Sequence, residues 1–338
     1  MSAPLDKAII LAGGEGKRLW PWTSAERPKP LLPLGGNGRT LLGATLDRLA
    51  GVVDPESIVL QAEAHLGARL LDGETRLGAT QLQTEPSARD TGPAVTIAML
   101  RAWQQKPDSV VALLPADHRV LDADRFRSAL RRAAEEARLG ALVVLGIVPR
   151  EPSSAFGYVE AIQTQGDLRD VRRFVEKPNE ATAREFVASG RHFWNAGIFV
   201  WRADRFREEL SRVAPEMLGA VERFLAGSYG SWSEAPKMSI DYALMEQAEG
   251  VRMVPLDAGW DDVGGWEAVG RMAAASDAGP ATLCDLRGPG AEGSLAISLL
   301  ETASPVLLME PGPWLHVHGS SGTLLARRGS DAALKRFV

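Results

Sequence analysis

The residues best suited to chemistry form a glycine-rich segment near the N-terminus, where positions 11–30 read LAGGEGKRLWPWTSAERPKP. The glycines let the backbone turn sharply and bring its N–H groups close to an anion. The basic residues place positive charge beside that turn, and phosphoryl chemistry needs both features because charge builds on the phosphate oxygens in the transition state. The segment therefore predicts a phosphate-binding loop made of Gly13, Gly14, Gly16, Lys17, Arg18 and Lys29.

Two established phosphate-binding motifs do not fit this loop. The P-loop ends in Gly-Lys-Ser/Thr, whereas this chain has Gly16-Lys17-Arg18. The dinucleotide fingerprint needs a third glycine where Leu19 stands, and an acidic residue at the end of the second strand, where this chain has Gln61. The sequence therefore argues against a P-loop NTPase and against a nicotinamide-dependent oxidoreductase.

Two aspartates are candidates for binding a metal ion. Asp117 follows the apolar run 110–114, and ligands bind at the ends of strands in open α/β sheets. Asp262 lies in the Gly/Trp-rich segment 259–266. Two carboxylates suit Mg²⁺, which is usually held by one or two carboxylates together with substrate phosphates and water. By residue type alone, Asp117 could equally cap a helix and Asp262, beside Asp261, could lie in a solvated loop.

Short apolar runs alternate with helical patterns over the first 150 residues. Strands are predicted at 8–12, 57–61, 80–84, 110–114 and 141–148, and helices at 40–49, 93–105 and 124–139. This alternation is typical of an α/β fold, here a Rossmann-like, mostly parallel sheet flanked by helices.

The pattern changes after position 150. Strands are predicted at 158–162, 171–176 and 192–201, with a helix at 180–189, as an antiparallel elaboration at the edge of the sheet. Helices are predicted at 203–213, 216–225 and 240–247, the last capped by Ser239. The stretch from Asp277 is rich in Gly, Pro and short Val/Leu runs, so we expect a catalytic domain at 1–276 and a small β-rich region at 277–338.

Bulk properties exclude several classes of partner. The 338 residues carry a formal net charge of -5, which gives no general attraction to nucleic acid or to an anionic membrane. Cys284 is the only cysteine, so an intramolecular disulfide cannot form. The sequence shows no signal-peptide pattern and no run of eighteen apolar residues, so we expect a cytoplasmic protein. A homodimer is the base-rate expectation for its assembly.

The full N-terminal string resembles the G-x-G-x-R-L…P-K signature of sugar nucleotidyltransferases, and Leu19-Trp20-Pro21 resembles their mannose-1-phosphate guanylyltransferase branch. Further segments follow in the order of that family, up to about Trp266. They are TEPSARDTGPA (84–94), LLPADH (113–118), AFGYVEA (155–161), FVEKP (174–178), FWNAGIFVW (193–201), SIDYALME (239–246) and GWDDVGGW (259–266). The chain resembles a short form, without the isomerase domain of longer relatives.

The resemblance implies a reaction and the residues that perform it. GMP would pass from GTP to mannose 1-phosphate by in-line displacement, giving GDP-mannose and pyrophosphate. Arg18, Lys29, Asp117 and Asp262 would be catalytic, and the two aspartates would hold Mg²⁺. The nucleotide would be bound by Gly13, Gly14, Gly16, Lys17, Arg18, Glu85, Arg89, Asp90, Thr91 and Gly92. The sugar phosphate would be bound by Gly157, Glu176, Lys177, Asn195 and Gly197.

One departure and two alternatives accompany this resemblance. Many family members have Asn where this chain has Asp90, and a carboxylate only accepts hydrogen bonds, which still suits the N1–H and amino group of guanine. UTP or dTTP with glucose 1-phosphate is one alternative substrate pair. A non-catalytic nucleotide-sugar sensor is the other alternative, although such a protein would be free to lose Arg18, Lys29, Asp117 and Asp262, and all four are present.

Overall fold

The computed structural model describes residues 3–14, 16–165, 167–275, 277–300 and 304–337. Within these residues the main sheet has nine strands in the order β3-β2-β1-β4-β8-β5-β9-β7-β6. Their bounds are β1 Lys7–Ala12, β2 Ile58–Glu63, β3 Leu82–Glu85, β4 Val110–Pro115, β5 Val143–Ile147, β6 Gly157–Gln165, β7 Leu168–Val175, β8 His192–Arg202 and β9 Arg252–Leu256.

Helices cover both faces of this sheet, as the alternating pattern predicts. The α-helices are α1 Leu41–Leu49, α2 Ala64–Gly73, α3 Thr91–Gln105, α4 Ala123–Arg138, α5 Glu180–Ser189, α6 Ala203–Val213, α7 Pro215–Leu225 and α8 Trp266–Ala274. One apolar core packs α1, α2, α4 and α5 against one face, and a second core packs α3, α6 and α7 against the other. Strand β1 shows why both faces of the sheet need helices, because Ile10 points into the first core and Ile9 into the second.

Strand β8 differs from the expectation of an antiparallel elaboration at the edge. The strands β3-β2-β1-β4 are parallel, but β8 lies in the middle of the sheet and runs antiparallel to both β4 and β5. Its side chains explain the position: Phe199 and Trp201 enter one core, and Ile198 and Val200 enter the other. A strand that is apolar on both faces needs cover on both faces, which an interior position provides.

Most predicted elements are present within a few residues, and α5 and α6 have the predicted bounds. The helix predicted at 240–247 is instead a short π-helical turn at Asp241–Met245, and the Ser239 Oγ accepts a hydrogen bond from the Tyr242 backbone N–H at 3.3 Å. Three elements, α2, β9 and α8, are additional to the prediction.

The C-terminal stretch is β-rich, as expected. Its strands are β10 Thr282–Leu283, β11 Leu286–Arg287, β12 Leu295–Ser298, β13 Val306–Leu307, β14 Trp314–Gly319 and β15 Gly322–Arg327, in a four-stranded and a two-stranded sheet. A third core joins Ile297, Val317 and Leu324 of this stretch to Leu19 and Trp266 of the preceding part. The C-terminal strands therefore pack behind the glycine-rich loop. The domain division at 276/277 stays a prediction, and Ser276 lies outside the described residues.

No helix among the described residues is both long enough and apolar enough to cross a membrane.

Candidate active site

The glycine-rich loop follows β1 and lines a cavity of about 610 Å³ together with Lys29 and Asp117. Gly16 has a φ of 70°, a left-handed conformation that favours glycine. A Cβ at Gly16 would lie only 2.5 Å from the Lys29 Cβ, so the loop and Lys29 approach closely because this residue has no side chain. The predicted loop residues Gly13, Gly14, Gly16, Lys17, Arg18 and Lys29 all line this cavity.

Lys29 joins the two predicted metal ligands. Its Nζ donates a hydrogen bond to the Asp117 Oδ2 at 2.7 Å and another to the Asp262 backbone carbonyl at 2.5 Å. These partners are 88 and 233 positions away in the sequence. Paired backbone hydrogen bonds between Arg119 and Asp261, at 2.9 and 3.0 Å, tie the two loops together. The structure thus brings Lys29, Asp117 and Asp262 to one place.

The electrostatics of this place favour a cation. Burial raises the pKa of Asp262, and the carboxylates of Asp261 and Asp117 act in the same direction, against the opposing charge of Lys29. Burial also acts to raise the pKa of Asp117, but the Lys29 ammonium beside it holds that pKa below its ordinary value. No group of three or more His, Cys, Asp or Glu residues suited to a metal occurs in the described part of the chain. Two carboxylates completed by substrate phosphates and water are nonetheless a donor set that suits Mg²⁺.

His118, the neighbour of Asp117, is not free to act as a metal ligand through its Nδ1. That nitrogen accepts a hydrogen bond from the Trp260 Nε1 at 3.1 Å. Burial lowers the pKa of His118 to about 4, so the ring is neutral at pH 7. His118 therefore orients Trp260 beside the aspartates.

A second cavity, of about 370 Å³, adjoins the first and shares Gly13, Gly14 and Asp117 with it. The predicted nucleotide-binding residues Glu85, Asp90 and Thr91 line this cavity. Asp90 also caps α3, because its Oδ1 accepts a hydrogen bond from the Thr91 backbone N–H at 2.7 Å. The shared wall suits a ligand whose phosphates lie in one cavity and whose planar base lies in the other.

Arg89 and Gly92 are placed differently from the other residues of that segment. The Arg89 Nε donates to the Ala235 carbonyl at 2.8 Å, and the Gly92 N–H donates to the Met238 carbonyl at 2.9 Å. Neither lines the two cavities described so far. In this structure both residues hold the segment 235–238 against the start of α3, and their predicted contact with nucleotide stays a prediction.

Four of the predicted sugar-phosphate residues come together around a half-buried acid, Asp241. The Asn195 Nδ2 donates to the Asp241 Oδ1 at 2.6 Å, and the Asn195 Oδ1 accepts from the Gly197 N–H at 3.0 Å. Gly157 is in register with Asn195, and a Cβ at Gly157 would lie 2.5 Å from the Glu176 Oε2. Lys177, the fifth residue, is exposed and forms an ion pair with Glu176.

Asp241 is a site residue that the sequence analysis did not assign. Burial raises its pKa, and the neighbouring carboxylates of Glu176 and Asp90 act in the same direction, while the Asn195 amide opposes them. Its sequence signal was an acid between apolar residues in SIDYALME. Because both functional groups of the Asn195 amide are engaged, Asp241 and Gly197 set its orientation.

A third cavity, of about 510 Å³, shares Arg18 and Asp262 with the glycine-loop cavity. Trp194 and Trp260 line it beside Phe156, whose ring lies 5.0 and 5.2 Å from theirs. The Nε of Arg18 is buried without a hydrogen-bond partner among the described residues. Arg18 therefore stands between two cavities, with unused donor capacity at their junction.

A family model matches most of the chain. The family model described as nucleotidyl transferase matches residues 7–278, which include the glycine loop, Asp117, Asp241 and Asp262. The chain belongs to the nucleotidyl transferase family. This result confirms the family resemblance.

Two curated relatives of this nucleotidyl transferase have names that refer to mannose 1-phosphate and to xanthan biosynthesis. Mannose-1-phosphate guanylyltransferase from Escherichia coli K12 is 37% identical over 79% of this chain, and the xanthan biosynthesis protein XanB from Xanthomonas campestris pv. campestris B100 is 38% identical over 77%. The chain spans 59% and 58% of the lengths of these two relatives.

A crystal structure from Thermus thermophilus, described as a mannose-1-phosphate geranyltransferase, is similar along nearly the whole chain. It is 32% identical, with a TM-score of 0.83, and the match covers 98% of both chains. This similarity confirms the expected fold of the nucleotide-diphospho-sugar transferase type, with helices about a mixed sheet and a β-rich C-terminal part.

Proposed function

We propose that this nucleotidyl transferase moves GMP from GTP to mannose 1-phosphate and releases pyrophosphate, with GDP-mannose as the second product. The observation that carries the proposal is the meeting of Lys29, Asp117 and Asp262 beside the glycine loop. The names of the Escherichia coli relative and of the Thermus thermophilus structure support the sugar, and the former supports the base.

The three connected cavities suggest where each substrate lies. The base and ribose occupy the cavity lined by Glu85 and Thr91, and the triphosphate lies along the glycine loop. Mannose 1-phosphate approaches from the cavity lined by Trp194. Its hydroxyl groups lie toward Glu176 and Asn195, which neighbour Asp241 on the wall of the 370 Å³ cavity. Arg18 lines both phosphate-bearing cavities, so its guanidinium can bind the attacking phosphate and the α-phosphate together.

The reaction is an in-line displacement at the α-phosphorus of GTP. An oxygen of mannose 1-phosphate forms the new P–O bond, the bond to the β-phosphate oxygen breaks, and pyrophosphate leaves with the electron pair. The attacking phosphate is already anionic, so no residue has to remove a proton. Arg18 and Lys29 contribute by aligning the two substrates and neutralising charge on their oxygens.

Asp117 and Asp262 would hold Mg²⁺. When bound, the ion would supply further charge neutralisation to the phosphates. The Lys29 Nζ already contacts both residues, which supports the proposal that a cation can be held at this position. Cytoplasmic location, homodimer assembly and the roles of the individual site residues belong to the same proposal.

The test is pyrophosphate release from each of GTP, ATP, UTP and dTTP, crossed with mannose 1-phosphate and glucose 1-phosphate in the presence of Mg²⁺. Release with GTP and mannose 1-phosphate well above every other pair is expected. Preference for another pair would change the substrates and keep the reaction. No release from any pair, with a nucleotide sugar still binding, would favour the sensor.

A further inference from the structure

The side-chain amide of Gln61 is buried at the edge of the 370 Å³ cavity lined by Glu85 and Thr91, the base-side cavity. Gln61 lies near the carboxyl end of β2 and is 2% exposed, and neither its Nε2 nor its Oε1 has a hydrogen-bond partner in the described residues. A buried amide without partners is destabilising by roughly 1–3 kcal/mol. Gln61 lines the 370 Å³ cavity, so a ligand placed there could form a hydrogen bond with its amide.

Glu85 also lines this wall. It lies on the neighbouring parallel strand β3 and is 8% exposed, and its Oε2 has no hydrogen-bond partner in the described residues. Glu63 is in register with Glu85, and Gln61 precedes Glu63 by two residues, so Gln61 and Glu85 project from the same face of the sheet. The cavity wall therefore carries an amide and a carboxyl on neighbouring strands, offset by two residues, each with free hydrogen-bonding capacity.

We propose that Gln61 recognises the oxygen at position 6 of a guanine base while Glu85 accepts hydrogen bonds from its N1–H and 2-amino groups. Guanine presents one acceptor followed by two donors along this edge, and an amide N–H followed by a carboxylate is the complementary order. Adenine presents an amino donor at position 6 and an acceptor at N1, which would face the carboxylate of Glu85. This inference rests on the proposed function and names the residues that select its base.

Gln83 provides a matched control within the same sheet. It is in register with Gln61 on β3, and its Oε1 is likewise buried without a partner among the described residues. Gln83 does not line the base-side cavity. A role for Gln61 that is only structural would therefore be shared by Gln83, whereas a role in base recognition would not.

The experiment measures dissociation constants by calorimetry for GTP, 6-thio-GTP and ITP with the intact chain and with Gln61→Met and Gln83→Met. Sulfur at position 6 is a weak acceptor, and ITP lacks the 2-amino group. The unaltered chain should bind GTP roughly tenfold more tightly than 6-thio-GTP, the scale of one lost hydrogen bond in a buried site. Gln61→Met should bind GTP as weakly as the unaltered chain binds 6-thio-GTP, and it should no longer prefer GTP over 6-thio-GTP. It should still prefer GTP over ITP. Gln83→Met should behave as the unaltered chain.

Thermal unfolding of the ligand-free variants separates recognition from folding. Replacing an unpaired buried amide with an apolar side chain of similar size should leave the melting temperature equal or higher. If Gln61→Met unfolds, Gln61→Leu takes its place in the same measurements. An unchanged GTP preference in a folded Gln61 variant, or equal binding of GTP and 6-thio-GTP by the unaltered chain, would overturn the proposal.

The binding measurement also stands apart from turnover. Absence of pyrophosphate release together with the expected binding pattern would refute the proposed reaction and support the role of Gln61. Normal pyrophosphate release from GTP, together with an unchanged preference for GTP over 6-thio-GTP in Gln61→Met, would support the proposed reaction and refute the role of Gln61.

Discussion

Glu85 should make the stability of the ligand-free protein depend on pH. Burial raises the pKa of its carboxyl from 4.5 to about 7, and the nearby Glu63 adds to this effect. The unfolded chain releases this proton near pH 4.5, whereas the folded chain keeps it until about pH 7. Because the folded state binds more protons between these values, the free energy of unfolding falls as the pH rises through that window.

The magnitude follows from the two pKa values. Their difference of about 2.5 corresponds to roughly 3 kcal/mol of lost stability above pH 8, and to about 1 kcal/mol at pH 5. Glu85→Gln removes the ionisation and retains the size of the side chain. The free energy of unfolding of Glu85→Gln, compared with that of the unaltered protein, should therefore be about 2 kcal/mol more favourable to the variant at pH 8.5 than at pH 5.

Urea unfolding at pH 5 and pH 8.5 measures this difference directly. Glu56→Gln is the control, because Glu56 is exposed at the surface just before β2, and its effect on stability should be the same at both pH values. An equal effect of Glu85→Gln at both pH values would refute the reasoning, because Glu85 would then ionise as freely as in the unfolded chain.

Three further predictions concern the loop, the metal ligands and the sugar side. Asp117→Ala and Asp262→Ala should each lower the rate of pyrophosphate release by roughly a hundredfold or more, the scale for losing one key electrostatic element, and near-normal rates in both would remove the metal assignment. Gly16→Ala should lower activity and destabilise the fold by more than the ~1–2 kcal/mol of left-handed strain, because its Cβ would also meet Lys29. Gly190→Ala is its control, because Gly190 has a φ of 64° and nothing lies within 4 Å of the added Cβ. Equal losses of stability in the two variants, measured by unfolding, would contradict the clash with Lys29. Asp241→Asn should raise KM for mannose 1-phosphate and leave kcat nearly unchanged, because the orientation of the Asn195 amide is lost. A fall in kcat alone, measured in the same assay, would count against this positioning role.

Local patterns were sufficient to predict most of the fold. The run of apolar residues before Gly13 predicts β1, and α5 and α6 have their predicted bounds, because a helix or buried strand leaves its periodicity in a short window. The position of β8 could not be predicted this way, because strand order depends on which faces find apolar cover, and that is decided by distant helices.

The candidate site likewise combines features that the sequence predicts with features that depend on the tertiary structure. Sequence alone predicted the phosphate loop and the pair of aspartates and indicated the family, because each depends on residue types at short spacing or on an ordered set of such segments. Only the tertiary structure decided that Lys29 bridges Asp117 and Asp262, which come from distant segments. It also decided that Gln61 is buried without a partner among the described residues and that Asp241 orients Asn195. Burial and hydrogen-bond partnership are properties of packed surroundings, and no window of sequence contains those surroundings.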